Sequence, residues 1–159
     1  MKKILITGAY GNGNIGDEYQ ASSVASHIQA VSFRSEVYAK SLLDDDHNFF
    51  FMDNRRIRTA RLENETALSI DAHKINKFDA LIIGGGGLLA ADHKPLFFSD
   101  WIERVRIPIM LLSIGADHSS VRKAERLLEK SQVVTARDEY SLSIIRKIRP
   151  DASFAPDPI

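Results

Sequence analysis

Short apolar runs alternate with amphipathic stretches along the whole chain, and this pattern predicts strands separated by helices. Continuous apolar runs, which suit strands buried on both faces, predict strands at residues 4–6, 49–52, 78–83, 109–115 and 133–136. Weaker strand patterns cover residues 31–39 and 152–155. The spacing of apolar residues predicts helices over residues 17–28, 95–104, 119–130 and 139–148, with Ser119 or Ser120 capping the third.

Strands that alternate with helices predict one doubly wound α/β domain with a mostly parallel, Rossmann-like sheet over residues 1–159. The mixed stretch 55–72 is less regular, with its arginines at Arg55, Arg56, Arg58 and Arg61. It suits either a basic lip for an anionic substrate or, more simply, a solvated helix face with internal ion pairs.

Composition narrows the classes of function. The chain has 21 basic and 21 acidic residues, so net charge favours neither a nucleic-acid partner nor an acidic tail. It has no cysteine, which excludes disulfides, thiolate metal ligands and cysteine nucleophiles. No apolar run reaches the length of a membrane span, and we expect a cytoplasmic protein.

The first glycine-rich loop follows the first predicted strand and reads Gly11-x-Gly13-x-x-Gly16. In that position the string is the dinucleotide fingerprint, and Glu36 lies about 20 residues further on, where a ribose-binding acid is expected. Asp17 and Glu18, however, would repel a pyrophosphate at the helix start. The alternative is a tight turn in which these two acids favour the helix dipole.

A second glycine run, Gly84-Gly85-Gly86-Gly87, follows the predicted strand 78–83. Ligands in open parallel sheets bind outside the carboxyl ends of the strands, so this run predicts ligand contact, with a close backbone crossing as the alternative. Other strand ends are also followed by glycine or charged residues, which together predict a binding edge: Gly8, Gly115, Arg137 and Asp157.

Four separated segments resemble the polysaccharide pyruvyl transferase family, in the family's order. The first two are Gly13-Asn14-Ile15-Gly16-Asp17-Glu18 and Gly85-Gly86-Gly87-Leu88-Leu89 with the following Asp92. The others are Arg137-Asp138-Glu139-Tyr140-Ser141 and Asp157-Pro158. The chain departs from the family's Gly-Gln-Gly-type turn at Ile114-Gly115-Ala116-Asp117-His118, where His118 is either an acid/base group or, more commonly, a surface loop residue.

The resemblance implies transfer of a pyruvyl unit from phosphoenolpyruvate to sugar hydroxyls of a surface polysaccharide or its lipid-linked precursor. It implies catalytic roles for Asp17 and Arg137. It implies substrate contacts from a larger set: Gly11, Gly13, Asn14, Gly16, Glu18, Gly84, Gly85, Gly86, Gly87, Asp92, Asp138 and Ser141. It implies no metal and no cofactor besides the donor substrate.

The resemblance also implies that the chain is the N-terminal half of a two-domain enzyme similar to GT-B-type glycosyltransferases, inactive alone and located in the cytoplasm, at the inner face of the membrane. Two alternatives remain open. One is a short-chain-type NAD(P)-dependent oxidoreductase, although no tyrosine has the lysine four residues on that those enzymes use. The other is a non-catalytic binding half-domain that forms a homodimer through its apolar face.

Overall fold

The computed structural model of the chain describes residues 1–10, 14–32, 34–41, 57–59, 71–90 and 100–158. Within these ranges, seven strands form one sheet with the order β3-β2-β1-β4-β5-β6-β7. Every neighbouring pair is parallel. The strands are β1 (Lys2–Gly8), β2 (Ser35–Ser41), β3 (Ile57–Thr59), β4 (Ala80–Gly84), β5 (Ile109–Ile114), β6 (Val133–Ala136) and β7 (Ser153–Phe154).

The helices of the described residues lie between the strands along the chain. They are α1 (Ile15–Val31), α2 (Ala72–Ile75), α3 (Trp101–Arg104), α4 (His118–Lys123), α5 (Glu125–Lys130) and α6 (Glu139–Ile145). The chain leaves β1 toward β2 on one side and later returns to β4 on the other. The strand order therefore reverses between β1 and β4, as in a doubly wound Rossmann-like sheet.

The core has two layers because successive residues of a strand point to opposite faces of the sheet. Leu5 and Leu81 belong to a large cluster that includes α2 to α6 and the fully buried Trp101. Ile6 and Ile82 belong to a smaller cluster with the inner face of α1. The predicted doubly wound α/β fold is thus confirmed, with helices on both faces.

Several predicted boundaries were wrong. The strand predicted at 31–39 begins at Ser35, because Val31 ends α1 and is 86% exposed. Within the stretch 55–72, for which a basic lip and a solvated helix face were the two interpretations, Ile57–Thr59 forms the strand β3 and not a helix. The strand predicted at 78–83 begins at Ala80, and the last helix ends at Ile145 rather than Ile148.

The helix predicted over 119–130 is two helices. It begins at His118, one residue earlier, and breaks at Ala124. Its cap is Asp117, whose side chain accepts hydrogen bonds from the Ser119 and Ser120 amides, both at 2.8 Å. An aspartate that receives two amide donors satisfies the helix start better than either serine. The strand predicted at 49–52 and residues 95–99 of the predicted second helix lie outside the described residues.

Candidate functional site

The candidate site lies at the carboxyl edge of the sheet, where β1, β4, β5, β6 and β7 end. Ligands of doubly wound folds bind in the crevice beside the point where the strand order reverses, here between β1 and β4. The glycine turn (Gly84, Gly85, Gly86 and Gly87) follows β4 at this point, and the first turn of α1 follows β1. This edge is therefore the place to look for binding chemistry.

The glycine turn interlocks with the first turns of α1. Gly85 and Gly86 have φ values of 85° and 74°, which side chains rarely tolerate. A Cβ atom on Gly85 would lie 1.9 Å from Gln20 Oε1, and one on Gly86 would lie 2.9 Å from Asp17 Oδ1. These two glycines are required both by their backbone conformation and by the close approach of the helix.

Tyr10 connects the end of β1 to the glycine turn. Its ring is fully buried, and its hydroxyl donates a 2.7 Å hydrogen bond to the Gly84 carbonyl oxygen. Gly8 makes room for it, since a Cβ atom there would lie 2.5 Å from that carbonyl oxygen and 2.7 Å from the tyrosine ring. Burial raises the Tyr10 pKa, and the Asp17 and Glu18 carboxylates raise it further. Tyr10 is therefore a neutral phenol that links β1 to the glycine turn.

The start of α1 carries four of the predicted site residues. Asn14 caps the helix by accepting a 3.0 Å hydrogen bond from the Gly16 amide. Asp17 and Glu18 lie in the first turn and are only 8% and 1% exposed. Their carboxylates at the positive end of the helix dipole are favourable. Their position in the first turn of α1 agrees with the alternative in which the acidic pair belongs to the helix start.

Arg137 lies over the end of β5, next to the glycine turn. The Gly115 amide donates a 2.8 Å hydrogen bond to the Gly86 carbonyl oxygen. A Cβ atom on Gly115 would lie 2.6 Å from Arg137 Nε, so the guanidinium rests on this glycine. The contacts run from Asp17 to Gly86, then to Gly115 and Arg137. The two predicted catalytic side chains are thus brought to the same edge, one at each end of this series of contacts.

Asp138 and Ser141 fix the segment that carries Arg137. Asp138 Oδ1 caps α6 by accepting a 2.7 Å hydrogen bond from the Ser141 amide, which holds the Asp138 pKa below its ordinary value. Arg137 Nε donates to Asp138 Oδ2 over 3.4 Å. Ser141 Oγ accepts a 2.9 Å bond from the Ala116 amide. These hydrogen bonds anchor the start of α6 to the chain just beyond β5.

His118 and Glu36 occupy positions that bear on the alternatives. His118 is the exposed first residue of α4, with its ring centroid 6.4 Å from that of Tyr140. Glu36 is the second residue of β2, paired with Lys3 in register, and so lies toward the amino edge of the sheet. A ribose-binding acid belongs at the opposite, carboxyl edge. This position removes a main support for the oxidoreductase alternative.

The described residues include nine of the substrate contacts and both catalytic residues that the sequence predicted. Those outside them are Gly11, Gly13 and Asp92. Sequence reasoning included Asp157 in the predicted binding edge, because it follows a strand end as Arg137 does. It did not assign site roles to Tyr10, Gln20 or Ser113, which also lie at this edge. Among the described residues, no group of three or more histidine, cysteine, aspartate or glutamate side chains is arranged to hold a metal ion.

Fold and edge together define a Rossmann-like α/β domain with polar and charged residues at the carboxyl ends of its strands. The sequence matches the polysaccharide pyruvyl transferase family over residues 14–159, and the chain belongs to that family. Comparison with curated proteins and with solved structures gave no significant match. Membership indicates a transferase of polysaccharide biosynthesis and implies a glycan acceptor. Nowhere in the described ranges is a helix both long and apolar enough to cross a membrane.

Proposed function

We propose that this chain supplies one wall of an active site that transfers a pyruvyl unit from phosphoenolpyruvate to hydroxyl groups of a glycan. The observation that carries the proposal is that segments distant in the sequence come together at one edge of the sheet. The first and the last of the four segments that resemble the family's motifs are about 140 residues apart in sequence, yet the described parts of all four lie at one edge of the sheet. Family membership and this shared edge support the assignment together.

Arg137 is the proposed charge-stabilising residue. Its side chain is 37% exposed, and within the described part of the chain Nε is the guanidinium atom that donates a hydrogen bond. The remaining N–H groups suit the oxygen atoms of a substrate. Asp17 is the proposed acid/base partner at the other end of the contact series. Its burial against Gly86 makes a role in positioning the glycine turn the competing explanation.

Charge at the edge supports the proposal that this wall needs a second one. Phosphoenolpyruvate carries a phosphate and a carboxylate, whereas among the described residues the Arg137 guanidinium already faces the carboxylates of Asp138 and Asp157. An anionic donor needs cations that compensate its charge. We propose that these cations come from a second domain and that the chain alone does not catalyse transfer.

The test is a transfer assay with phosphoenolpyruvate and a lipid-linked or simple glycoside acceptor. Two readouts measure transfer: the release of phosphate and the NMR methyl signal of the pyruvate ketal. We expect no transfer by the chain alone and transfer once a second family domain is joined to it. In that active form, Arg137→Ala and Asp17→Ala should each reduce the rate by about a hundredfold.

The matched control is Arg126→Ala. Arg126 is an exposed arginine on α5 that forms an ion pair with Glu103 on α3, outside the site, and its replacement should leave transfer unchanged. Circular dichroism must show that each variant folds. Near-full activity of folded Arg137 and Asp17 variants would make these positions structural. Absence of transfer in every form would favour the non-catalytic alternative.

A further inference from the structure

The chain returns over the carboxyl edge after β7. In this return segment (residues 155–158), the Ala155 amide donates a 3.0 Å hydrogen bond to the Ala136 carbonyl oxygen at the end of β6. Ser113 at the end of β5 donates from its hydroxyl to the Pro156 carbonyl oxygen, also at 3.0 Å. The return segment is therefore held against the ends of β5 and β6.

Ser113 holds an uncommon backbone conformation to make this contact. Its φ is 54°, in the left-handed region that residues with side chains rarely enter. Ser113 is nearly fully buried, and its amide donates a 2.8 Å hydrogen bond to Thr135 Oγ1. Residues in such conformations persist where surrounding contacts fix them, and they are concentrated at functional sites. The position of the return segment is thus determined by the structure around it.

The return segment presents Asp157 with one oxygen that has no donor. Asp157 Oδ1 is buried and receives no hydrogen bond from any residue that the structure describes. A buried acceptor without a donor is unfavourable. Burial raises the pKa of Asp157, the nearby Asp138 carboxylate raises it further, and Arg137 opposes both. Because Asp157 as a whole is only half-buried, rotation of its carboxylate would bring this oxygen to a ligand hydroxyl that donates to it.

Local charge decides which kind of ligand suits this place. Two carboxylates, Asp138 and Asp157, act on one guanidinium, that of Arg137. A phosphate or carboxylate group would add a third negative charge and, when ionised, has no proton to donate to Asp157. A sugar hydroxyl is neutral, donates through its proton and accepts through its oxygen. It can therefore bond to a carboxylate and a guanidinium at once.

We propose that Asp157 and Arg137 form the subsite that binds hydroxyl groups of the glycan acceptor, while the anionic donor binds elsewhere in the site. The identity of the ligand as a sugar rests on the proposed function. The subsite itself rests on the held return segment, the oxygen without a donor and the excess of carboxylates.

The test is an NMR titration of the chain with methyl glycosides of galactose, glucose and mannose, and separately with phosphoenolpyruvate. At least one glycoside should shift the Asp157 carboxyl carbon and the Arg137 Nε signal, and phosphoenolpyruvate should leave both unchanged. Asp157→Asn should weaken glycoside binding by about tenfold or more, because a charge-assisted hydrogen bond is lost. The same variant should leave the binding of phosphoenolpyruvate unchanged, because the donor binds elsewhere in the site.

Asp151→Asn is the matched control. Asp151 lies six residues earlier, and Arg149 lowers its pKa to about 2 through a paired hydrogen bond outside the site. Its replacement should leave glycoside binding unchanged. The proposal is overturned if phosphoenolpyruvate shifts the two signals in the wild-type chain, or if none of the glycosides does.

Measurements of glycoside binding and of pyruvyl transfer together distinguish a failure of this proposal from a failure of the proposed function. Glycoside binding at Asp157 without transfer in any form would sustain the subsite and count against pyruvyl transfer. Transfer by an active form in which Asp157→Asn leaves the KM for the glycoside unchanged would sustain the function and overturn the subsite.

Discussion

The two sides of the carboxyl edge use glycine for different purposes. On the β1/β4 side, Gly85 and Gly86 admit Gln20 and Asp17 of α1, and the space beside them is occupied by the protein itself. On the β5–β7 side, Gly115 admits the end of the Arg137 side chain, which is partly exposed. The first side is a packed joint between helix and sheet, whereas the second holds polar groups accessible to a ligand.

The difference shows that a glycine-rich turn at a strand end does not by itself mark the place of ligand chemistry. The longest glycine run in the chain has a packing explanation at three of its four positions, since Gly84 also approaches Leu112 closely. The single Gly115 lies beside the exposed cation. Replacing one glycine on each side therefore separates a structural role from a functional one.

The largest effect is expected for Gly85→Ala. The substitution forces a side chain into the left-handed region, which costs about 1–2 kcal/mol, and overpacks it against Gln20, which costs about 1–3 kcal/mol. The free energy of unfolding, measured by urea denaturation, should fall by about 3 kcal/mol. Gly87→Ala is the control, because its Cβ would lie an ordinary 3.6 Å from Ala90, and it should change stability by less than about 0.5 kcal/mol. Equal losses in the two variants would refute the packed-joint interpretation.

Gly115→Ala should act mainly on function. The new Cβ meets the far end of a flexible arginine side chain, which can move, so stability should change by less than about 1 kcal/mol. The displaced guanidinium should reduce glycoside binding or transfer by about tenfold, equivalent to about 1.4 kcal/mol. Parallel urea denaturation and binding measurements check this. A large loss of stability with unchanged binding would mean that both sides of the edge are packed joints.

The smallest effect is expected for Asp138→Ala, which removes the cap of α6 and should cost about 1 kcal/mol. Because the folded-state pKa of Asp138 lies below the ordinary value of 3.8, its stabilisation is present above that value and is lost as pH falls through the folded-state pKa. The difference between wild type and variant should therefore shrink below about pH 4. Asp100→Ala is the control, since Asp100 precedes α3 without a capping side-chain bond, and it should have little effect at any pH.

The sequence was sufficient for the central strands of the sheet, although not for β3, because buried parallel strands are continuous apolar runs that end at polar or glycine residues. The strand 133–136 was predicted with both boundaries correct. Errors arose where apolarity and burial diverge, as at Val31, which is apolar but exposed at the end of a helix. The break at Ala124 has no marker in the apolar spacing, which continues through both helices.

The sequence was sufficient to predict that the candidate site lies at the carboxyl edge of the sheet, but not the individual contacts there. Residues that follow strand ends in a parallel sheet meet at one edge, so the nearness of Arg137 to the glycine turn follows from topology. Whether protein or ligand occupies the space beside a glycine depends on which helix residue faces it, as Gln20 does. The donor-free oxygen of Asp157 depends on burial, which only three-dimensional packing defines. The substrate roles of the predicted residues stay predictions.

The two layers of the core also differ in the fluorescent residues that they contain. Trp101 is the chain's one tryptophan, and it is fully buried in the layer that contains α2 to α6. The layer that packs α1 contains Tyr10 but no tryptophan. Tryptophan fluorescence will therefore report the loosening of one face of the sheet, and an amide hydrogen-exchange measurement on α1 will report the other. Any disagreement between the two transitions will show that the layers do not unfold together.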